Sequence, residues 1–370
     1  MNTNTILPLS AARVRRTSGI QRLGKWLLAL LLILPITAAA AGNVWCTWFG
    51  LFCAATPTSQ VQEVTQFGSN PGNLRMFEYV PQNLEASRPV VVALHGCLQQ
   101  AADYDDEPGW IQFADKYRFA LLLPQQQVAN NPMKCFNWFL PEDTQRDQGE
   151  ALSIRQMIQK MQSDLKSDPR RAYVTGLSGG GAMTAVMLAT YPDVFAGGAI
   201  IAGVPYKCAN NADEATRQCG VSVVPGKNIP MKDFTPQQWG DLVRNASRFN
   251  VPFPRVSIWQ GSKDDTVNPV DAREILEQWT NVAGIDQTPE INEMVKEKIR
   301  HQVFQDASGN ALVETYLIDG MTHGTPIDPG AAANQCGKPA PFILPAGICS
   351  SFYIAKFWGL DKLSSANPNP

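Results

Sequence analysis

From about residue 89 onward the chain alternates two hydrophobic patterns. A short, continuous apolar run stands at Pro89–Leu94, and further strands are predicted at Phe119–Leu123, Ala172–Thr175, Ala199–Ala202, Val256–Trp259 and Leu312–Ile318. A run that is apolar at every position predicts a strand buried on both faces, as in a parallel sheet. Pro124 is expected to stop the second of these strands. Between them, Ile154, Met157, Ile158, Met161 and Leu165 fall at helical spacing and form one stripe. Asp168-Pro169 should close that helix. Further helices are predicted over Phe113–Lys116, Ala182–Tyr191 and Asp271–Trp279. Strand followed by helix, repeated, predicts an α/β fold with a mostly parallel central sheet and helices on both faces. The interval 205–250 breaks the rhythm. It is polar and holds two cysteines, so it reads as an insertion covering one end of the sheet.

The first 41 residues follow another logic. Arg13, Arg15, Arg16, Arg22 and Lys25 precede an apolar run from Trp26 to Ile36, and Ala38–Ala41 supply small residues for cleavage. This is the layout of an export signal. A membrane anchor would need about 20 apolar residues, and Pro35 interrupts this run. Residues 42–61 are expected to form an aromatic segment and polar linker, 62–362 the α/β domain, and 363–370 a disordered tail. The mature protein is therefore expected outside the cytoplasm, periplasmic or extracellular, with no membrane attachment after signal removal.

Export gives the cysteines a meaning. The eight at 46, 53, 97, 135, 208, 219, 336 and 349 are expected to form disulfides. The simplest pairing joins sequence neighbours: 46–53, 97–135, 208–219 and 336–349. No CxxC spacing occurs, so a zinc site is not expected. Net charge is −2, and no basic patch lies beyond the N-terminus. Nucleic acid is therefore not an expected partner.

One serine stands out. In Tyr173–Phe195, Ser178 sits among Gly176, Gly179, Gly180 and Gly181, between a predicted strand and a predicted helix. Gly176-Leu177-Ser178-Gly179-Gly180 matches G-x-S-x-G, the turn that lifts a nucleophilic serine above a sheet. Glycines two positions either side relieve collisions in so sharp a turn. A phosphate-binding loop is the rival, but its lysine and G-x-G-x-x-G spacing are missing. A serine needs a base. Of three histidines, His301 lies in an extended stretch and His95 ends a strand, while His323 follows the last strand in a Gly-flanked loop. The order Ser, Asp, His makes His323 the candidate base. The acid should come from the turn after Val256–Trp259, where Asp264 and Asp265 stand side by side and spacing does not choose between them. Oxyanion donors are expected from the Gly179 amide and from Cys97 in the loop after the first apolar strand. A thiol-nucleophile role for Cys97 is disfavoured, since Cys135 is available to oxidise it. Asn137, Trp138 and Phe139 are candidate pocket walls. The chemistry calls for no metal or cofactor.

The segments LHGCLQQAADYD, LLLPQQQVANNPMKCFNWF, GEALSIRQMI, VTGLSGGGAMTAVMLATYPDVFAGGAIIAGVPY and SSFYIAKFWGL resemble the poly(3-hydroxybutyrate) depolymerase family of secreted esterases, which also holds feruloyl and acetylxylan esterases. The resemblance runs from about Gln62 to Leu360. It implies an α/β-hydrolase fold and serine-ester chemistry on poly- or oligo(3-hydroxybutyrate). Plant cell-wall esters are the alternative substrate, and a non-catalytic binding protein on this scaffold the alternative class. The family's G-x-x-D-x-x-V pattern falls on Gly261, Asp264 and Val267, which selects Asp264 over Asp265. Many polymer-degrading members carry a further polymer-binding domain. This chain ends shortly after Leu360, so soluble oligomers or other esters are also expected substrates.

Overall fold

The computed structural model describes residues 60–222, 224, 230–249 and 251–363. The expected leader, the segment with Cys46 and Cys53, and the tail beyond Leu363 lie outside them. Ten strands form one sheet: β1 (Gln62–Val64), β2 (Arg75–Tyr79), β3 (Val90–Leu94), β4 (Ala120–Gln125), β5 (Ala172–Leu177), β6 (Phe195–Ile201), β7 (Arg255–Gly261), β8 (Ile291–Lys296), β9 (Ile299–Gln305) and β10 (Ala311–Ile318). Their spatial order is β1-β2-β4-β3-β5-β6-β7-β10-β9-β8. The middle six, β4 to β10 in that order, are mutually parallel. The antiparallel strands β1, β2, β9 and β8 flank them. Parallel strands put their C-terminal ends on one edge, where open α/β sheets hold their ligands.

The central strands are buried along most of their length because both faces are covered. On one face Val90, Val92, Val174, Ile200 and Ile258 join the core under α2 (Gly149–Leu165), α3 (Gly179–Thr190) and α6 (Val270–Ala283). On the other, Val91, Ala93, Tyr173, Ala199 and Trp259 pack with α1 (Trp110–Tyr117) and α7 (Ser350–Phe357). The predicted stripe on α2 is buried at Ile154, Met157, Ile158 and Met161. Leu363, assigned to the tail by sequence, is buried in the second core; an apolar side chain there completes the cover over that face.

Three details differ from the pattern reading. β4 does not stop at Pro124 but runs to Gln125. Pairing with β3 ends at Leu122, so Pro124 meets only β2, as on an edge strand. α2 ends at Leu165, before Asp168-Pro169, with Lys166 in a left-handed conformation (φ 50°). The hairpin β8–β9 carries no apolar run, because β8 is exposed along almost its whole length.

Within 205–250 lie α4 (Ala212–Gln218) and α5 (Pro236–Arg244). A capping box between Thr235 and Gln238 starts α5. Buried Trp239 then ties it to α6 by donating from Nε1 to Glu274 Oε2 at 2.7 Å. Three disulfides follow the expected pairing: Cys97–Cys135, Cys208–Cys219 and Cys336–Cys349. The fourth pair falls outside the described residues.

Candidate active site

The turn at Ser178 is built from main chain. Ser178 adopts φ 56° and ψ −118°, a conformation costly for a residue with a side chain. Two bonds hold it there. Its N–H donates to Ile201 O at 2.9 Å, and its carbonyl accepts from Ala182 N–H at 2.8 Å. A Cβ at Gly176 would meet the Gly180 carbonyl, and one at Gly180 would meet the Leu94 and His95 carbonyls. The glycines two positions either side are thus required by backbone contact. Helix α3 starts immediately after the serine, so its first amides surround the hydroxyl.

Asp264 and His323 are brought together although 59 residues separate them. His323 Nδ1 lies 2.8 Å from Asp264 Oδ2. Three further N–H groups converge on the carboxylate. Thr266 and Val267 donate from the backbone to Oδ1 at 2.9 and 2.8 Å, and Gln260 Nε2 donates to Oδ2 at 3.0 Å. Both side chains are buried. Gly261 makes the approach possible, because a Cβ there would strike the Met321 and Thr322 carbonyls of the histidine loop. Lys263 N–H seals the two loops with a 2.9 Å bond to Met321 O. Asp265 makes no such contact with a histidine. The Phe342 ring stands edge-on to His323, centroids 6.0 Å apart. Ser178, Asp264 and His323 follow β5, β7 and β10, so all three sit at the C-terminal edge of the sheet.

The loop after β3 turns at Gly96-Cys97-Leu98-Gln99. Gln99 N–H donates to Gly96 O at 3.2 Å, and Leu98 has φ 69°, the pattern of a type II turn. Leu98 N–H is taken by Met133 O, and Gly96 N–H by Gln99 Oε1. Of the turn's four amides, only that of Cys97 has no acceptor among the described residues. Cys97 Sγ lies 2.9 Å from where a Gly179 Cβ would be, so the Cys97 turn and the start of α3 abut. The Cys97–Cys135 bridge fixes that turn to the next loop.

His95 braces the same turn from below. Its Nε2 accepts from Gln126 N–H at 3.1 Å, so Nδ1 carries the proton and donates to Gly96 O at 2.8 Å. Burial pulls its pKa down to about 4, so it is neutral in ordinary conditions. Among the described residues neither His95 nor His301 bonds to Asp264. His301 lies between Glu293 and Glu314 on the antiparallel edge.

The three expected wall residues are mostly enclosed. Asn137 and Trp138 are buried, and Phe139 packs on the core beside Trp138. Asn137 N–H donates to Glu150 Oε2 at 2.9 Å, and its side-chain oxygen accepts from Asn131. Glu150 is a support that the sequence reading missed. Burial foremost, then the Asp143 charge, pushes its pKa up to about 8, and Gln126 links it to the Cys135 carbonyl. Gln260 was also missed. No local pattern marks it, since its role lies in the contact with Asp264 across the turn. Among the described residues no group of three or more His, Cys, Asp or Glu side chains is placed to hold a metal, and no helix is long and apolar enough to cross a membrane.

Comparison with known proteins fits this geometry. Residues 76–221 match the family described as Esterase PHB depolymerase. The chain is 51% identical to a poly(3-hydroxyalkanoate) depolymerase C of Paucimonas lemoignei, over 83% of this chain and 72% of the relative. It is 36% identical to a feruloyl esterase B of Thermothelomyces thermophilus, over 66% of this chain and 82% of that one. The solved structure of an acetyl xylan esterase from Aspergillus awamori superposes with a TM-score of 0.61 at 28% identity, covering 71% of this chain and 93% of that one. The strand order, the turn at Ser178 and these relatives agree: the chain belongs to the poly(3-hydroxybutyrate) depolymerase family of α/β-hydrolase esterases and is a carboxylic ester hydrolase.

Proposed function

We propose that Ser178, His323 and Asp264 form the catalytic triad, and that the ester is a poly- or oligo(3-hydroxyalkanoate). His323 Nε2 takes the Ser178 proton as Oγ attacks the ester carbonyl. The amides of Cys97 and Gly179 receive the negative charge that develops on the carbonyl oxygen. His323 then protonates the leaving alcohol, and the acyl group stays on Ser178. Water, deprotonated by His323, attacks the acyl-enzyme and releases the carboxylic acid, returning the proton to Ser178. Asp264 holds His323 with Nδ1 protonated, which leaves Nε2 as the base. Phe139 and Trp138 form one apolar wall with Asn137 behind them, and the 205–250 insertion forms another part of the cover.

The single observation that supports the mechanism best is the 2.8 Å bond between His323 Nδ1 and buried Asp264 at the serine's own sheet edge. The polyester substrate rests on the 51% identical depolymerase. A second reading, a feruloyl ester, draws on the 36% identical esterase. Hydrolysis of 3-hydroxybutyrate trimer, amorphous polyester granules, methyl ferulate and acetylated xylan, assayed side by side, separates them. Faster turnover of the hydroxybutyrate substrates is expected, and preference for methyl ferulate would overturn the polyester reading. We also assign residues 1–41 to a cleaved export signal. The three disulfides support an oxidising compartment, periplasmic or extracellular, and N-terminal sequencing of the native protein tests the cleavage.

A further inference from the structure

A cleft of about 860 Å³ opens on the helical face, among the loop ahead of α2, the segment after β6 and the C-terminal end of α5. That volume is within the usual range for small-molecule sites. None of Ser178, Asp264 and His323 lines it. Its chemistry is unusual for a surface hollow. Arg146, Lys207 and Arg248 contribute three cations, and Asp147 is the only carboxylate on its wall.

The three cations are not in the same state. Arg146 is fully engaged. It pairs with Asp193 at 2.6 Å and donates to Thr190 O, and its guanidinium lies between the Tyr191 and Phe249 rings at 4.5 and 4.2 Å. It therefore builds the wall and fixes Phe249. Lys207 differs. Its Nζ has one hydrogen bond, to Thr144 Oγ1 at 3.2 Å, and the Tyr206 ring lies 5.9 Å away. Among the described residues no carboxylate pairs with Lys207 or Arg248. Lys207 is half-buried, and burial lowers its pKa, which marks an ammonium group that has lost water without gaining a counter-ion. The Ser247 hydroxyl on the same wall is buried with no hydrogen-bond partner among the described residues. Asp147 does not neutralise the group, since its carboxylate is turned largely to solvent and accepts from Tyr191. Leu242 and the Phe249 ring, itself 43% exposed, supply an apolar side.

We infer that this cleft is a second binding site, apart from the catalytic serine, for an organic monocarboxylate with an apolar body, its carboxylate on Lys207 Nζ. Ser247 and Arg248 stand ready to share the anion, and Leu242 and Phe249 face its carbon chain. A carboxylate meeting a half-desolvated ammonium forms a charge-assisted bond. Every turnover of a carboxylic ester hydrolase releases such an acid, so the site would hold a product or the acid end of an oligomer. The choice of a hydroxyalkanoate as occupant rests on the proposed substrate. The site itself does not.

The test is calorimetric titration of the linear 3-hydroxybutyrate trimer acid into the Ser178→Ala protein, which cannot consume it. Saturable binding is expected. The methyl ester of the same trimer should bind at least tenfold more weakly, and Lys207→Gln should weaken the acid at least tenfold. Circular dichroism and Tm establish that the Lys207→Gln protein is folded, and Arg248→Gln replaces it if it is not. No saturable binding of any acid, equal binding of acid and ester, or binding indifferent to both substitutions overturns the inference. A ferulate arm separates the two readings. Lys207-dependent binding of ferulate but not of the trimer acid upholds the site and counts against the polyester substrate alone.

Discussion

At the scale of single residues, Gln260 is a sharper probe than the proposed triad itself. Its shortest polar contact at the site is the 3.0 Å bond to Asp264 Oδ2, with longer ones at 3.4 Å to the Gly261 and Val267 carbonyls. A hydrogen bond to a charged group is worth about 1.5–3 kcal/mol. Gln260→Leu should therefore lower kcat by roughly ten- to a hundredfold with KM for a p-nitrophenyl butyrate reporter little changed. A loss confined to KM would show that Gln260 serves binding instead. Asp264→Asn should cost about 10⁴ in kcat by upsetting the histidine tautomer, and Asp265→Asn far less. The reverse order would move the acid. These two aspartates show what the sequence could and could not convey. Position after a strand pointed to the pair and the family pattern selected Asp264, while the three N–H donors and the imidazole gathered at Asp264 supply the physical reason. Glu150 and Gln260 were illegible for a related reason. Their roles depend on what lies above them in space, and local pattern carries none of that.

At the scale of elements, the strand–turn–helix around Ser178 was readable because its constraint is local. Gly176 and Gly180 are close to the serine in sequence and needed by it in space. Gly180→Ala would push a methyl group into the Leu94 and His95 carbonyls. That overpacking should cost roughly 1–3 kcal/mol, seen as a lower Tm, together with a larger loss of kcat as the turn shifts. Unchanged Tm and kcat would refute the account of the turn. The edges of the sheet were not readable. β8 is exposed and polar, and β2 pairs antiparallel outside the βα rhythm, so neither carries the periodicity that marks the central strands. The Cys97 turn depends on a covalent element too. Its bridge to Cys135 closes a loop with a sequence separation of 38. Replacing both cysteines by alanine should destabilise the protein by about 3–4 kcal/mol in the chain-entropy model and lower kcat, since the Cys97 amide loses its anchor.

At the scale of the whole molecule, the two non-catalytic histidines set opposite limits on stability with pH. Burial holds His95 at about 4 in the fold, below its unfolded value of about 6.5. The unfolded chain binds the extra proton between those values, so His95 costs stability as pH falls from about 6.5 toward 4. For His301, burial pulls downward, but bonds to Glu314 and Glu293 outweigh it and lift the imidazole above its ordinary range. Its contribution is complete below about 6.5 and fades as pH rises through the folded value. His301→Gln should therefore lower Tm more at pH 5.5 than at pH 8.5. An equal loss at both would remove the ion pair from the account. The parallel order of the middle strands has a larger consequence, because it gathers residues 178, 264 and 323 on one edge. The claim that they act together is tested most directly by labelling the folded protein with a fluorophosphonate and mapping the adduct by peptide mass spectrometry. One adduct on the Ser178 peptide, much slower to form in His323→Ala, is predicted. No adduct, or one on another residue formed at the same rate without His323, would contradict it.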